Sequence, residues 1–171
     1  MFASNGILFN HECETRGETF VTRKISRFVA QYQIHRKGIL YLGDLSSRRD
    51  WGYAPEYIEA MWKILQHKKP DDFVIATNKS YSVRDFLKEA FKVIGIKIIF
   101  KGKKHKEVGL DSKTKKVLVK SIKYYYRPNE VTNLVGNFAK AKKILKWKPK
   151  VNFRKLVKIM VENDIKILDR G

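Results

Sequence analysis

The sequence predicts an α/β fold, and three observations carry that prediction. Short apolar runs alternate with amphipathic stretches, polar or glycine-containing turns separate them, and one run is apolar throughout. "NGILF" at 5–9 is bounded by Gly6 and the polar Asn10, as a short strand would be. "TFVTRKISRFVAQYQIH" at 19–35 sets Phe20, Val21, Ile25, Phe28, Val29 and Tyr32 at helical spacing, with Arg23, Lys24 and Arg27 among them, which predicts a basic amphipathic helix. "ILYLG" at 39–43 reads as a second strand, followed by a polar turn from Asp44 to Arg49. "APEYIEAMWKILQH" at 54–67 predicts a second helix, with Pro55 and Glu56 in its first turn, where both are favoured.

"DFVIAT" at 72–77 is the continuous apolar run, the kind of strand expected where both faces of a sheet are covered. In "SVRDFLKEAFKVIG" Ser82 is placed to cap a helix with Asp85 three residues on, and Gly95 to stop it. "IKIIF" and "KVLVKSIKYYY" predict further strands, separated by a basic, glycine-containing loop over 101–116. The chain closes on "NFAKAKKILKW" and "NFRKLVKIMVENDIKIL", two helices divided by Pro149.

With 171 residues, 43% hydrophobic and 12% aromatic, the chain can bury a sizeable core as one globular domain or as part of a larger one. Its formal charge of +20 favours anionic partners, whether nucleic acid, phosphorylated small molecule or membrane surface. The excess is mostly Lys spread along the whole chain, so a compositional bias of the coding sequence explains it equally well. Cys13, the single cysteine, cannot form an internal disulfide and has no zinc-type spacing around it, which fits a reducing cytoplasm. No apolar run approaches the roughly 20 residues needed to span a bilayer, and no signal-peptide pattern opens the chain.

The chemistry-bearing residues are donors and acceptors without a reaction centre. There is no GxGxxG turn, no Walker loop, and no Tyr four residues before a Lys. In "YYYRPNEV", Arg127 and Glu130 flank Pro128, offering a planar guanidinium to a phosphate and a carboxylate to a ribose, or merely a surface ion pair at a turn. Asn10 and His11 stand at a strand's carboxyl end, where open α/β sheets bind ligands; the alternative is a histidine bonding the local backbone. Arg23 and Lys24 could reach a phosphate or be solvated, the usual state of such side chains. Arg48 and Arg49 could meet an anion or pair with Asp50. Trp51, Trp62 and Trp147, large apolar side chains, are expected in the core.

The order of "NGILFNHE", "RGETFVTRKI", "LYLG", "RDWG", "EAMW", "DFVIAT", "SVRDF", "YYYRPNEV" and "KAKKILKWKPKVNFRKLVKIMVENDI" resembles the C-terminal half of GDP-mannose 4,6-dehydratases, members of the extended short-chain dehydrogenase/reductase family. The resemblance covers nearly the whole chain. It implies a Rossmann-type sugar-nucleotide enzyme, of which this chain holds the substrate-binding region as a single partial unit, with residues 5–12 and about 53–95 contributing late Rossmann strands and helices. Such enzymes use NADP to oxidise the mannose C4 hydroxyl, eliminate water across C5 and C6, and return the hydride at C6. The family's catalytic Thr, Glu and Tyr/Lys pair and its glycine fingerprint belong to the half not matched, so no catalytic residue is expected here. On matching motifs, His11 and Arg16 are expected to contact NADP, and Asn10, Lys24, Arg49, Arg127 and Glu130 to hold the GDP-sugar.

Departures from the family's usual pattern alter local contacts. "CETRGE" stands where "SPRRGE" is usual, which loses one arginine at Thr15 and keeps Arg16, and Asp44 replaces the commoner Asn. Tyr53 stands where His is usual, and Pro55 also departs from the pattern. The resemblance implies a cytoplasmic enzyme of nucleotide-sugar metabolism, leading to GDP-fucose and related sugars. Its partners would be GDP-mannose, a separate N-terminal half, and further copies, since the family forms dimers and tetramers. Alone, the chain is expected to be inactive. Two other readings remain: a non-catalytic binder of GDP-sugars or other anionic ligands, and a basic nucleic-acid-binding module, against which stands the lack of any module signature.

Overall fold

The computed structural model describes residues 2–127, 129 and 131–169. The elements in chain order begin with β1 (Gly6–Leu8), β2 (His11–Glu12), α1 (Val21–His35), β3 (Leu40–Leu42), β4 (Arg48–Arg49) and β5 (Gly52–Tyr53). Next come α2 (Ala54–Leu65), β6 (Phe73–Ile75), β7 (Tyr81–Ser82), α3 (Val83–Val93), β8 (Ile98–Lys101) and β9 (Val108–Asp111). The chain ends with β10 (Val117–Ser121), α4 (Ala139–Ile144) and α5 (Phe153–Leu168). The expected α/β class is what forms. Among the described residues, no helix is long and apolar enough to cross a membrane.

The chain folds into two compact units. The first comprises Met1–Cys13, Arg48–Tyr81 and Asn133–Leu156, and the second Glu14–Ser47, Ser82–Thr132 and Val157–Gly171. The stretch of about 53–95 is thus divided after Tyr81.

In the first unit β1 and β6 pair in parallel, with Gly6 opposite Phe73 and Leu8 opposite Ile75. One face of this ribbon carries Leu8 with the fully buried Phe73 and Ile75, and packs with Tyr57, Ala60 and Ile64 of α2 and with Ala141, Leu145 and Trp147. Trp147 is anchored by its polar edge as well as its area, because Nε1 donates to the Glu56 carbonyl at 2.9 Å. The Glu56 carboxylate accepts from the backbone N–H groups of Lys150 and Val151. Trp51 is buried and stacks on Phe153. Trp62 departs from expectation: it is 60% exposed, because the inward stripe of α2 is Tyr57, Ala60 and Ile64 and Trp62 lies off it.

In the second unit a four-stranded sheet runs β3-β10-β9-β8, with β3 parallel to β10 and the other pairs antiparallel. The loop expected over 101–116 contains β9, which the sequence reading missed. Its apolar content is only Val108 and Leu110 between charged neighbours, and it becomes a strand by pairing on both edges, Leu110 opposite Ile99 and Val108 opposite Lys120. Gly109 fits the tight packing there, since a Cβ would stand 2.7 Å from Ile98 Cδ1 and 3.1 Å from Phe100 Cε1. The run expected to continue as a strand to Tyr126 ends at Ser121 and passes into a 3-10 turn at Lys123–Tyr125.

Helix α3 has the cap its sequence calls for: Ser82 Oγ accepts from the Asp85 N–H at 3.1 Å, and the Asp85 carboxylate accepts from the Ser82 N–H at 2.9 Å. Replacing Ser82 with Ala is expected to cost about 1 kcal/mol. Urea-induced unfolding followed by circular dichroism will read that loss, and an unchanged midpoint would contradict it.

Candidate functional site

The predicted residues fall in both units, and each group is built by its own elements. In the first, the chain changes partner between two strands: the Phe9 N–H donates to the Ile75 carbonyl at 3.0 Å, and the Asn10 carbonyl then accepts from the Gly52 N–H at 2.9 Å. His11 is paired with Gly52 and Glu12 with Tyr53 in the parallel β2–β5 ladder. This switch brings Asn10 and His11 to the carboxyl end of a parallel strand, the position where open α/β sheets bind ligands.

His11 Nδ1 lies 2.9 Å from the Phe9 carbonyl oxygen. A carbonyl only accepts, so Nδ1 carries a proton and donates it to this bond, which leaves the Nε2 edge facing away from the backbone contact. The backbone-bonding alternative for His11 is therefore realised, and it orients the ring rather than consuming it. The imidazole also packs on Tyr57, with centroids 5.0 Å apart. Tyr57 is fully buried, and its hydroxyl has no hydrogen-bond partner among the described residues. Burial pushes that phenol far up, aided by the charges of Asp50 and Glu56.

Asp50 is a residue whose role the sequence reading missed. It is fully buried, and its carboxylate accepts from Thr77 N–H at 2.8 Å, Thr77 Oγ1 at 2.6 Å and Gly136 N–H at 3.2 Å. It ties the residues after β6 to the segment that begins at Asn133. An Asp beside Trp in a short polar run is the only signal of this in the sequence, and it does not say which distant amides will be satisfied. Arg49 is half-buried, with Nη1 donating to the Arg48 carbonyl at 2.8 Å. Arg48 is fastened to Ser80, its Nη2 donating to the carbonyl at 2.5 Å.

In the second unit the guanidinium carbon of Arg16 lies over the Phe20 ring, 3.6 Å from its centroid. Arg23 is not solvated: it is buried, ion-paired with Asp164 at 2.8 Å, and donates to the carbonyls of Glu14 and Arg16. It therefore supports the loop that carries Arg16. Lys24, one residue on, is half-buried, with its ammonium 5.0 Å from the Tyr125 ring centroid. Tyr125 ends the 3-10 turn that leads to the exposed Arg127, so Lys24 and the segment carrying Arg127 are brought together. The turn is seated closely on the end of β3, because a Cβ at Gly43 would stand 2.3 Å from the Tyr125 carbonyl oxygen. Glu130 lies outside the described residues.

Nearby, Asp44 stands where Asn is commoner in the resembling family. Burial acts to raise its carboxyl pKa, but hydrogen bonds from Ser46 and Ser47 outweigh it and hold the group below the usual carboxylate range. A separate groove of about 770 Å³ runs between α3 and β8, lined by Lys88, Lys92, Ile96 and Phe100, and contains none of the predicted residues.

The comparisons with known proteins agree with one another. A family model described as GDP-mannose 4,6 dehydratase matches residues 1–160. The chain is 54% identical to the GDP-mannose 4,6 dehydratase of Dictyostelium discoideum, covering 100% of this chain and 48% of that protein. It is 49% identical to the Homo sapiens enzyme of the same name, covering 98% and 45% respectively. The chain thus spans about half the length of the curated relatives it matches. Among solved structures, it is similar to RMD from Pseudomonas aeruginosa complexed with NADPH, at a TM-score of 0.76 and 14% identity over 95% of this chain and 48% of that one. It is also similar to the UDP-glucose 4-epimerase of Thermotoga maritima with UDP-glucose, at a TM-score of 0.71 and 20% identity over 95% and 46%. These structural likenesses establish a Rossmann-type fold shared with sugar-nucleotide dehydratases and epimerases.

Proposed function

Because the chain belongs to the GDP-mannose 4,6-dehydratase family, we propose that it is the substrate-binding half of such an enzyme, serving the conversion of GDP-mannose to GDP-4-dehydro-6-deoxymannose and water. It would be inactive alone and dependent on a separate N-terminal half, and it would act in the cytoplasm. The observation that carries this reading is the strand switch at Phe9 and Asn10, which delivers Asn10 and an oriented His11 to a ligand-binding strand end.

In this reading Asn10, Lys24, Arg49, Arg127 and Glu130 hold the GDP-sugar. Arg and Lys suit a diphosphate, and each charge-assisted bond contributes about 1.5–3 kcal/mol. Binding energy on the nucleotide end positions the hexose. The donor set also fits part of an NADP site. The Nδ1–H of His11 is held by a carbonyl, so the ring keeps a fixed edge for a ligand, and the Arg16 guanidinium is held over the Phe20 ring and suits an anionic group. NADP supplies the hydride acceptor and donor of the reaction when bound. The residues of this chain orient and neutralise; they move no proton of the substrate.

Calorimetric titration with GDP-mannose tests the reading. The 171-residue chain is expected to bind GDP-mannose in competition with GDP, and Arg127→Ala to weaken binding about 10- to 100-fold. With NADP added, the chain alone is expected to give no turnover. Undiminished affinity in Arg127→Ala would overturn the phosphate role, and turnover by the purified chain would overturn the predicted dependence. Binding of generic RNA that falls steeply with salt and ignores GDP would favour the nucleic-acid alternative.

A further inference from the structure

The groove of about 770 Å³ in the second unit runs along the edge of a strand. In the order β3-β10-β9-β8, β8 is outermost, and among the described residues it pairs with β9 alone. The Ser112 N–H donates to the Lys97 carbonyl at 2.8 Å, and Ile98 is paired with Asp111 and Ile99 with Leu110. Antiparallel pairing alternates, so the backbone of Lys97 and Ile99 faces β9, and the N–H and C=O groups of Ile98 and Phe100 turn to the outer edge. Every residue from Gly95 to Phe100 lines the groove, as expected when a groove follows a strand's edge and not one face of the sheet.

The opposite wall is one line of α3. Arg84, Lys88 and Lys92 line the groove at intervals of four residues, which places them along one side of the helix. Arg84 is committed to the fold: its Nε and Nη2 donate to the buried Glu107 carboxylate at 2.7 and 2.9 Å, and its guanidinium lies 5.7 Å from the Phe100 ring centroid. Lys88 and Lys92 are exposed, as are Lys97 and Lys101 on the strand side, while Glu89 is the acidic member of the lining. Between these cations lie Ile96, Ile98 and Phe100, alternate residues that share the face of the strand turned toward Arg84. The site is therefore an unpaired strand edge beside an apolar line, with lysines on both walls.

We propose that this groove takes an extended acidic peptide segment of a partner protein, which adds a strand to the sheet beside β8. Three features choose that occupant. The outward backbone groups of Ile98 and Phe100 need a ladder of amide donors and acceptors, which neither a nucleic acid nor a lipid headgroup supplies. The apolar line takes an apolar side chain at every second position of the added strand. The lysines favour carboxylates at the positions between, and they repel a second copy of this chain, whose formal charge is +20. The segment thus alternates apolar with acidic residues. None of Asn10, His11, Arg16, Lys24, Arg49 and Arg127 lines the groove, so this site stands apart from the one proposed for the GDP-sugar.

The probe is a short, labelled synthetic peptide alternating valine with glutamate, titrated with the 171-residue chain and followed by fluorescence anisotropy. Saturable binding is expected, and excess GDP-mannose is expected to leave it intact. Lys88→Glu with Lys92→Glu should weaken it about tenfold. Lys142→Glu with Lys143→Glu, the same change of charge on α4, should leave it unchanged. All four lysines are exposed, so circular dichroism of both double variants should match the parent. Two further peptides keep the side chains and charge but carry backbone N-methyl groups, one on its valines and the other on its glutamates. Only one set of N–H groups faces β8, so one of these peptides is expected to bind at least tenfold more weakly and the other to bind as the parent does. Loss with methylated valines marks an antiparallel strand, and loss with methylated glutamates a parallel one. No binding, equal effects of the two methylations, undiminished affinity in Lys88→Glu with Lys92→Glu, or displacement by GDP-mannose would overturn the proposal. An RNA oligonucleotide held at the same lysines more tightly than the peptide would overturn it in favour of a nucleic-acid surface.

Discussion

Replacing Arg23 with Ala is expected to destabilise the chain by about 3–5 kcal/mol, the cost of leaving a buried charge without its partner. Asp164 is 3% exposed and receives the Arg23 guanidinium at 2.8 Å and the Ser26 hydroxyl at 2.6 Å. Burial raises its carboxyl pKa above the ordinary value of 3.8, while Ser26, Arg23 and Arg27 draw it down. An acid whose folded pKa is raised binds its proton more tightly in the folded state, so its contribution to stability falls as pH rises through the interval above 3.8. Removing Arg23 lifts the folded pKa further and widens that interval. The deficit of Arg23→Ala should therefore be largest near neutral pH and shrink on acidification, where Asp164 is neutral. Urea-unfolding midpoints of parent and variant across that range will show it, and a deficit that grows on acidification would contradict it. Arg23→Ala with Asp164→Ala should recover part of the loss, since no buried charge is left alone.

Gly52→Ala is expected to cost about 3 kcal/mol, at the upper end for overpacking. The added Cβ would stand 2.3 Å from Tyr57 Cε2 and 2.5 Å from the hydroxyl oxygen. Tyr57 cannot swing aside, being fully buried with its ring edge-on to Trp147 and packed against His11. Because Gly52 also bonds Asn10 and pairs with His11, the displacement reaches the strand end proposed to hold ligand. Thermal melts should show the loss of stability. Titration with GDP-mannose should show weaker binding than Ser82→Ala, whose cap lies elsewhere. Parent-like stability in Gly52→Ala would show that the Tyr57 ring can yield.

Much of the fold was legible because its signals are local. The cap at Ser82 and Asp85, the stop at Gly95 and the apolar stripe of α3 depend on spacings within a few residues, and each appears where the pattern puts it; on α1 Ile25, Val29 and Tyr32 are buried, while Phe20 precedes the helix and is 49% exposed. Strand β9 was not legible. Two apolar residues between charged ones become a strand only when β8 and β10 supply hydrogen bonds on both edges. The same distinction separates Trp147 from Trp62: both are expected in the core, but of the two only Trp147 meets packed partners among the described residues.

For the candidate site, the motifs in the sequence named the residues, and the side-chain environments came from the fold. Arg23 and Lys24 are adjacent basic residues on one helix, indistinguishable by composition. A turn of about 100° sends one into a buried pair with Asp164, far along the chain, and the other toward Tyr125. Asp50 reads as a surface carboxylate beside two arginines, and becomes a buried anchor because Thr77 and Gly136 bring three donors to it. The sequence by itself determined the family, the order of elements and the local caps, since these are carried by residue identity and short spacing. Only the tertiary structure decided which basic groups are buried in structural pairs and which apolar residues of α2 are buried, because burial and pairing are set by residues distant along the chain.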